Sequence, residues 1–364
     1  MGLVIGVTGT ATEDFFFDPS RFSLEGGVYR ISAGGREFRV EPDAAPERHG
    51  KVFARFDREL LHYADRKQFG GGGYNSASVM AAIAPDVEIR YSDSGTPNAE
   101  LEADLVGRGV ACRFRGLHPA QANIVTGDAS GSDKQIFKSQ IPPHAVPIPS
   151  DDDGPWVAAG GTVLVNSDKH RPFVTRLAAG AARGLLNMHV VLTPSQRPDY
   201  LMGAVVPYAK VIIAALDELE AALGIAVRRG VDGGAVAVRM LAECASSPIV
   251  HLTLGRDGVL LTNPEDMTIL HVRLSRGKDR EVQRGLRDHS GVCGCGDSYA
   301  AAVTLYSVAG RSVFGASPLG PDTFVSAALA GCGAALRHLG FAGPLGPEDF
   351  VVDEVGLLAR ACGE

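Results

Sequence analysis

The chain begins with an apolar, β-rich run over residues 3–8, closed by Gly9. A continuous run of this kind predicts a strand buried on both faces, at the centre of a sheet. The pattern then changes. Residues 27–31 and 37–40 are short segments separated by Gly34-Gly35, which predicts a hairpin. Residues 42–50 read as a loop. A run of four glycines, Gly70 to Gly73, opens a predicted helix over 75–84, followed by a strand over 87–91 and a helix over 99–107. More strand is expected as far as residue 140. Residues 141–155 hold five prolines and three consecutive aspartates, which predicts a loop or linker.

From residue 157 onward strand and helix patterns alternate. Strands are predicted over 162–165, 189–192, 211–214, 249–254 and 259–261. Helices are predicted over 172–182, 216–223, 297–308 and 322–339. Alternation of this kind implies a mostly parallel sheet covered by helices on both faces. The strand-rich segments before residue 140 do not fit that sheet and are expected to form a small β appendage over the site. The expected division is an α/β core of residues 1–17, 53–109 and 141–364, with β lid segments at 18–52 and 110–140.

Composition narrows the class without choosing within it. The chain has 364 residues, 45% hydrophobic and 21% charged, enough to bury a large core. The net charge of −7 is spread along the chain, and no basic block resembles a nucleic-acid footprint. The six cysteines are too few for a disulfide framework, and the spacing of Cys293 and Cys295 is not that of a zinc knuckle. They read as reduced thiols. The first 18 residues lack the basic start of a signal peptide, and no apolar stretch is long enough to span a bilayer. The expectation is a cytoplasmic protein that works without nucleic acid or membrane.

Three segments carry candidate chemistry. The first is Gly294-Cys295-Gly296-Asp297, at the start of the late helix. Its glycines let a ligand approach the backbone, whose N–H groups at a helix N-terminus suit a phosphate. A carboxylate there repels phosphate, so Asp297 makes sense facing the hydroxyl that attacks it. The structural alternative is an Asp satisfied as a helix cap. The second is the glycine run with Asn75, which implies close approach of a ligand or of another backbone. An Asn both donates and accepts, as a polyol requires; the alternative is a flexible loop ending at an Asn cap. The third is Asp14, just beyond the first strand, where open α/β sheets bind ligands. Glu13 competes with it, and either acid could be a solvated loop residue. No Walker A sequence occurs, and no dinucleotide fingerprint follows the first strand.

Together these segments resemble the ribokinase-like (PfkB) carbohydrate kinase family, which carries Gly-Gly-x-x-x-Asn early and Gly-x-Gly-Asp late. Here the motifs fall at Gly70–Asn75 and Gly294–Asp297. Thr253-Leu254-Gly255-Arg256-Asp257-Gly258 is similar to the family's Thr-Leu-Gly-x-x-Gly turn, and Asp217 to Glu220 to its Asn-x-x-Glu motif. The resemblance spans nearly the whole chain. It implies a three-layer core with a mostly parallel sheet and a small β-sheet lid, with ATP and Mg2+ as cofactors. By the same resemblance Asp297 is the catalytic base, and the backbone of Gly294, Cys295 and Gly296 is the anion hole. Asp14, Gly71, Gly72 and Asn75 hold the acceptor. Thr253, Gly255 and Gly258 border the nucleotide, and Asp217 and Glu220 help place the magnesium ion and its waters.

The pattern is broken in three places. Gly291, Val292 and Cys293 replace the usual Asp-Thr-Thr, which weakens any claim to a monovalent-cation site. Cys295 replaces Ala, leaving the backbone donor intact. The interval between Asp14 and Gly70 is long, so the lid is expected to be enlarged, covering a bigger substrate or serving as a homodimer interface. The expected activity is ATP-dependent phosphorylation of a sugar or sugar-derivative hydroxyl. The alternatives are a nucleoside kinase, with Phe15, Phe16, Phe17 or Tyr74 stacking on a base, and a non-catalytic sugar sensor on the same scaffold.

Overall fold

The computed structural model describes residues 2–43, 51–96, 98–118, 121–127, 134–139, 153–166, 170–193, 198–245, 249–285, 294–315 and 323–355. In chain order the strands are β1 (Val4–Gly9), β2 (Thr12–Phe16), β3 (Phe22–Glu25), β4 (Val28–Ala33), β5 (Arg36–Pro42), β6 (Lys51–Phe56), β7 (Arg66–Gly70), β8 (Glu88–Gly95) and β9 (Val110–His118). They continue with β10 (Gln121–Gly127), β11 (Lys134–Ser139), β12 (Thr162–Asn166), β13 (Asn187–Val191), β14 (Val211–Ala215), β15 (Ile249–Thr253), β16 (Val259–Thr262), β17 (Ile269–Leu274) and β18 (Phe350–Glu354). The helices are α1 (Gly72–Ile83), α2 (Ala99–Gly107), α3 (Asp153–Val157), α4 (Arg171–Ala182), α5 (Pro198–Tyr200), α6 (Leu216–Leu223), α7 (Val231–Cys244), α8 (Arg276–Gly285), α9 (Cys295–Ala309) and α10 (Thr323–His338).

Two sheets result. The larger has the order β18-β17-β16-β15-β14-β13-β12-β1-β8-β9. Pairing is parallel from β9 through to β15 and antiparallel from β15 to β18. Alternate residues of each strand feed two cores. Leu164 and Ile213 face a cluster with Met80, Tyr299 and Ala327 from α1, α9 and α10. Their neighbours Val163, Val165 and Ile212 face a second cluster with Phe173 of α4 and Leu241 of α7. This is a three-layer α/β arrangement, with small residues letting α9 and α10 approach closely: a Cβ on Gly331 would lie 2.5 Å from the Tyr299 ring.

The second sheet has the order β3-β4-β5-β6-β11-β10-β2-β7 and its own apolar cluster around Phe15, Phe17, Ile31 and Phe137. The Gly34-Gly35 hairpin joins β4 and β5, both glycines having positive φ. Strand pairing draws the boundary differently from the expected division. Thr12–Phe16, Lys51–Phe56 and Arg66–Gly70 pair in the second sheet, and Val110–His118 pairs in the first. The chain therefore crosses between sheets at Thr10-Ala11 and again at Gly70-Gly71, side by side. Part of the expected 141–155 linker is the short helix α3; the rest of that segment, like Gly291 to Cys293, lies outside the described residues.

Candidate active site

The carboxyl ends of β1, β12 and β15 and the N-termini of α1 and α9 meet on one side of the larger sheet. The glycine run explains how α1 reaches this point. Gly71 has φ 91°, and a Cβ there would lie 2.3 Å from the Thr10 carbonyl; one on Gly73 would lie 2.7 Å from the Gly9 backbone. Of the two readings of the run, close approach of another backbone is the one found. It seats the first turn of α1 on the end of β1, where the Gly73 N–H donates to the Thr10 carbonyl at 3.3 Å.

One turn further, Asn75 faces α9. Its Nδ2 donates to Asp297 Oδ2 at 2.8 Å. Asn166, the last residue of β12, donates from Nδ2 to Asp297 Oδ1 at 3.1 Å and to Ser76 Oγ at 2.8 Å. Ser76 Oγ in turn donates to the Asp297 carbonyl at 3.3 Å. The half-buried Asp297 carboxylate is thus gripped by two carboxamides from other elements, and not used as a cap for its own helix. Gly294 at the N-cap has φ 93° and no side-chain cap follows it, so the first N–H groups of α9 have no intrahelical partner. Those groups carry the positive end of the helix dipole and suit an anion.

Cys295 and Gly296 line a cleft of about 360 Å³, which places it within the size range of small-molecule sites. Thr253, Gly255 and Gly258 line the same cleft from the β15–β16 turn. Leu274, Val282, Leu336, Leu339 and Phe350 make its walls apolar. The residues expected to border a nucleotide and the backbone expected to hold phosphate are therefore brought together.

On the other side of α1 lies the second sheet. Asp14 is 7% exposed and accepts from Thr12 Oγ1 at 2.9 Å and from Asn123 Nδ2 at 2.7 Å. A Cβ on Gly70 would lie 2.4 Å from Asp14 Oδ2, so this carboxylate stands against the start of the glycine run. Gln68, Asp14, Asn123 and Lys138 are register partners across β7, β2, β10 and β11 and share one face. Phe15, Ala122, Ile124 and Phe137 fill the opposite face. Glu13, the competing acid, points away: it pairs with Lys67 at 2.7 Å and accepts from Asn98 at 2.7 Å, tying the second sheet to α2.

The two acids on α6 differ in their surroundings. Glu220 accepts from the Val227 N–H at 2.8 Å and from Arg229 at 3.1 Å, which folds the segment after α6 back on the helix; Asp217 is exposed. A carboxylate already paired with Arg is a poor direct metal ligand. Among the described residues no group of three or more His, Cys, Asp or Glu could hold a metal. The described side chains therefore do not build a site of direct protein ligands for magnesium.

Sequence reasoning missed Asn123 beside Asp14, and also Asn166, Ser76 and Asp93. Asn166 ends a strongly apolar strand with a polar residue at its carboxyl edge, the same signal that singled out Asp14. Ser76 had no distinguishing signal. Asp93, 2% exposed at the end of β8, accepts from the Ala11 N–H at 2.6 Å, Tyr91 Oη at 2.7 Å and the Gly95 N–H at 2.7 Å, and so pins the crossing between the sheets.

This combination of layers, strand order and β appendage has clear counterparts among solved structures. Ribokinase from Arabidopsis thaliana, solved with ribose and ATP, superposes with a TM-score of 0.64 at 17% identity, covering 96% of each chain. A probable sugar kinase from Rhizobium etli gives 0.63 at 14%, and adenosine kinase from Sinorhizobium meliloti 0.61 at 15%, each covering 95% of both chains. The chain has the ribokinase-like fold. No known family profile and no curated protein matches the sequence. At this identity the ribokinase-like fold is what the likeness establishes. No helix among the described residues is long and apolar enough to cross a membrane.

Proposed function

We propose that the protein is an ATP-dependent kinase acting on a hydroxyl of a sugar or sugar derivative, with Asp297 as general base. The observation that carries this reading is the juxtaposition at the start of α9. A carboxylate held by Asn75 and Asn166 sits in the same turn as Cys295 and Gly296, which line the cleft. In the proposed reaction the acceptor hydroxyl gives its proton to Asp297 as its oxygen bonds to the γ-phosphorus of ATP. The bond from that phosphorus to the β-γ bridging oxygen breaks, and ADP leaves. Phosphoryl transfer asks mainly for positioning and charge neutralisation. The N–H groups around Gly294 to Gly296 supply the second, and the grip on Asp297 supplies the first. Gly71, Gly72 and Asp14 border the acceptor, while Asn75 serves it indirectly by orienting the base. A magnesium ion would enter with the nucleotide phosphates and neutralise part of their charge.

A nucleoside acceptor is the second reading, and the likeness to adenosine kinase favours it. The aromatic residues considered for stacking argue against it. Phe15 and Phe17 are buried in the second sheet's own core, Tyr74 gives its hydroxyl to Asp104 at 2.6 Å, and Phe16 is covered by Arg66 at 4.1 Å. An ATP-consumption screen over pentoses, hexoses, their phosphates, sugar acids and nucleosides tests the proposal. Turnover of a sugar or sugar derivative is expected. Turnover of nucleosides alone would establish the second reading, and tight binding with no turnover would establish a sensor.

A further inference from the structure

One buried atom in the polar row of the second sheet has no partner among the described residues. Asn123 is 5% exposed. Its Nδ2 donates to Asp14, but its Oδ1 is buried and accepts no hydrogen bond among the described residues. The orientation of this carboxamide is fixed by chemistry, because only the NH2 end can donate to a carboxylate and the oxygen must then face away. A buried acceptor left without a donor carries the uncompensated cost of its lost hydration. Such an atom is retained at a place where something else brings the donor. Asp14 stands beside it on the same face, against Gly70 and the glycine run that leads to Asn75 and Asp297.

We propose that Asn123 is a specificity-determining residue of the acceptor site. Its Oδ1 accepts a hydrogen bond from one hydroxyl of a polyol whose neighbouring hydroxyl is accepted by Asp14. Two acceptor residues paired across neighbouring strands on one face call for two neighbouring O–H donors, which a vicinal diol provides and a carbonyl or ether oxygen does not. The inference takes the identity of the site from the proposed function, but it concerns binding and stands without turnover. A purely structural Asn123, present only to hold Asp14, would leave the ranking of acceptors unchanged when removed.

The test compares D-ribose, D-glucose and adenosine with 2-deoxy-D-ribose, 2-deoxy-D-glucose, 2′-deoxyadenosine and 3′-deoxyadenosine. Binding is read by calorimetry and turnover with ATP, for the wild type, Asn123→Ala and the near-isosteric Asn123→Leu. In the wild type, deleting the hydroxyl read by Asn123 is expected to cost about tenfold or more, the size of one buried hydrogen bond. In either variant the same deletion is expected to cost less than about threefold, while ATP affinity is unchanged. A deletion penalty that persists undiminished in the variants overturns the inference and leaves the kinase proposal standing. Diol binding that depends on Asn123 without any turnover sustains the inference and removes the kinase proposal. If neither variant folds, the wild type decides alone: equal handling of every deoxy analogue and its parent overturns the role of Asn123. No binding of any of these compounds to the wild type overturns it as well.

Discussion

Asp297 is held at both oxygens, and the two holders are not equivalent. Asn75 comes from the first turn of α1, whereas Asn166 comes from the end of a central strand and also supports Ser76. Removing Asn166 takes one hydrogen bond from the carboxylate and leaves the other. Asn166→Ala is therefore expected to lower kcat about tenfold, the value of a single hydrogen bond, with little change in ATP affinity. Steady-state kinetics with both substrates varied checks this. Cys295 provides the opposite case. It lines the cleft, but the donor assigned to the anion hole is its backbone N–H, which any residue but proline retains. Cys295→Ala is expected to keep kcat/KM for ATP within about threefold of wild type, well inside the cost of one lost hydrogen bond. A severe loss would remove the anion-hole assignment.

At the scale of elements, the seating of α1 on β1 decides where Asn75 sits. A Cβ on Gly73 meets the Gly9 backbone and the Tyr91 ring, both at 2.7 Å, so neither side can give way cheaply. Gly73→Ala is expected to cost about 1–3 kcal/mol, the usual range for overpacking. It should also lower kcat by displacing Asn75. Denaturant unfolding and kinetics on one preparation measure both effects, and loss of stability without loss of activity would uncouple the helix seat from the base. The elements themselves were unevenly legible. The helix over 99–107 was legible, and in the structure Asn98 caps it; the core strands were legible from their apolar runs. Helix α7 was not, because Gly233-Gly234 near its start lowers helix propensity; Gly234 lets the helix pack against Leu252 of β15 and Leu260 of β16, while Gly233 lies against the Arg228 carbonyl. Helix α8 was missed because its sequence is almost wholly polar.

For the whole molecule, the assignment of strands to sheets was the least legible feature. Thr12–Phe16 begins three residues after β1 ends and is locally as strand-like, yet it pairs with β7 and β10. Such pairing depends on register with distant segments, which local patterning does not encode. The candidate site was readable where chemistry sits in a local motif, as at Gly294 to Asp297. It was less legible where the partner comes from far along the chain: Asn166 shows only as a polar end to an apolar strand, and Asn123 carries no local signal. The core also carries a pH signature. His189 shares a hydrogen bond with Thr304 at 3.0 Å and His251 with Tyr299 at 2.7 Å, both under α9, and burial pushes both imidazoles down to about 3. The unfolded chain takes up these protons near the ordinary value of 6.5, and the folded chain does so only near 3. Stability is therefore full above pH 6.5 and lost progressively as the pH falls from there toward 3. Calorimetry across that window should show Tm falling with pH, and His251→Gln should flatten the slope.

The reading depends on whether the Asp297 carboxylate takes the acceptor's proton. Single-turnover transfer of the γ-phosphoryl group from ATP to a sugar acceptor, compared between wild type and Asp297→Asn, measures this directly. The variant keeps the shape of the side chain and removes its basicity. Transfer is expected to slow by at least about 100-fold while ATP binding stays nearly intact. Transfer by Asp297→Asn at the wild-type rate would contradict the account.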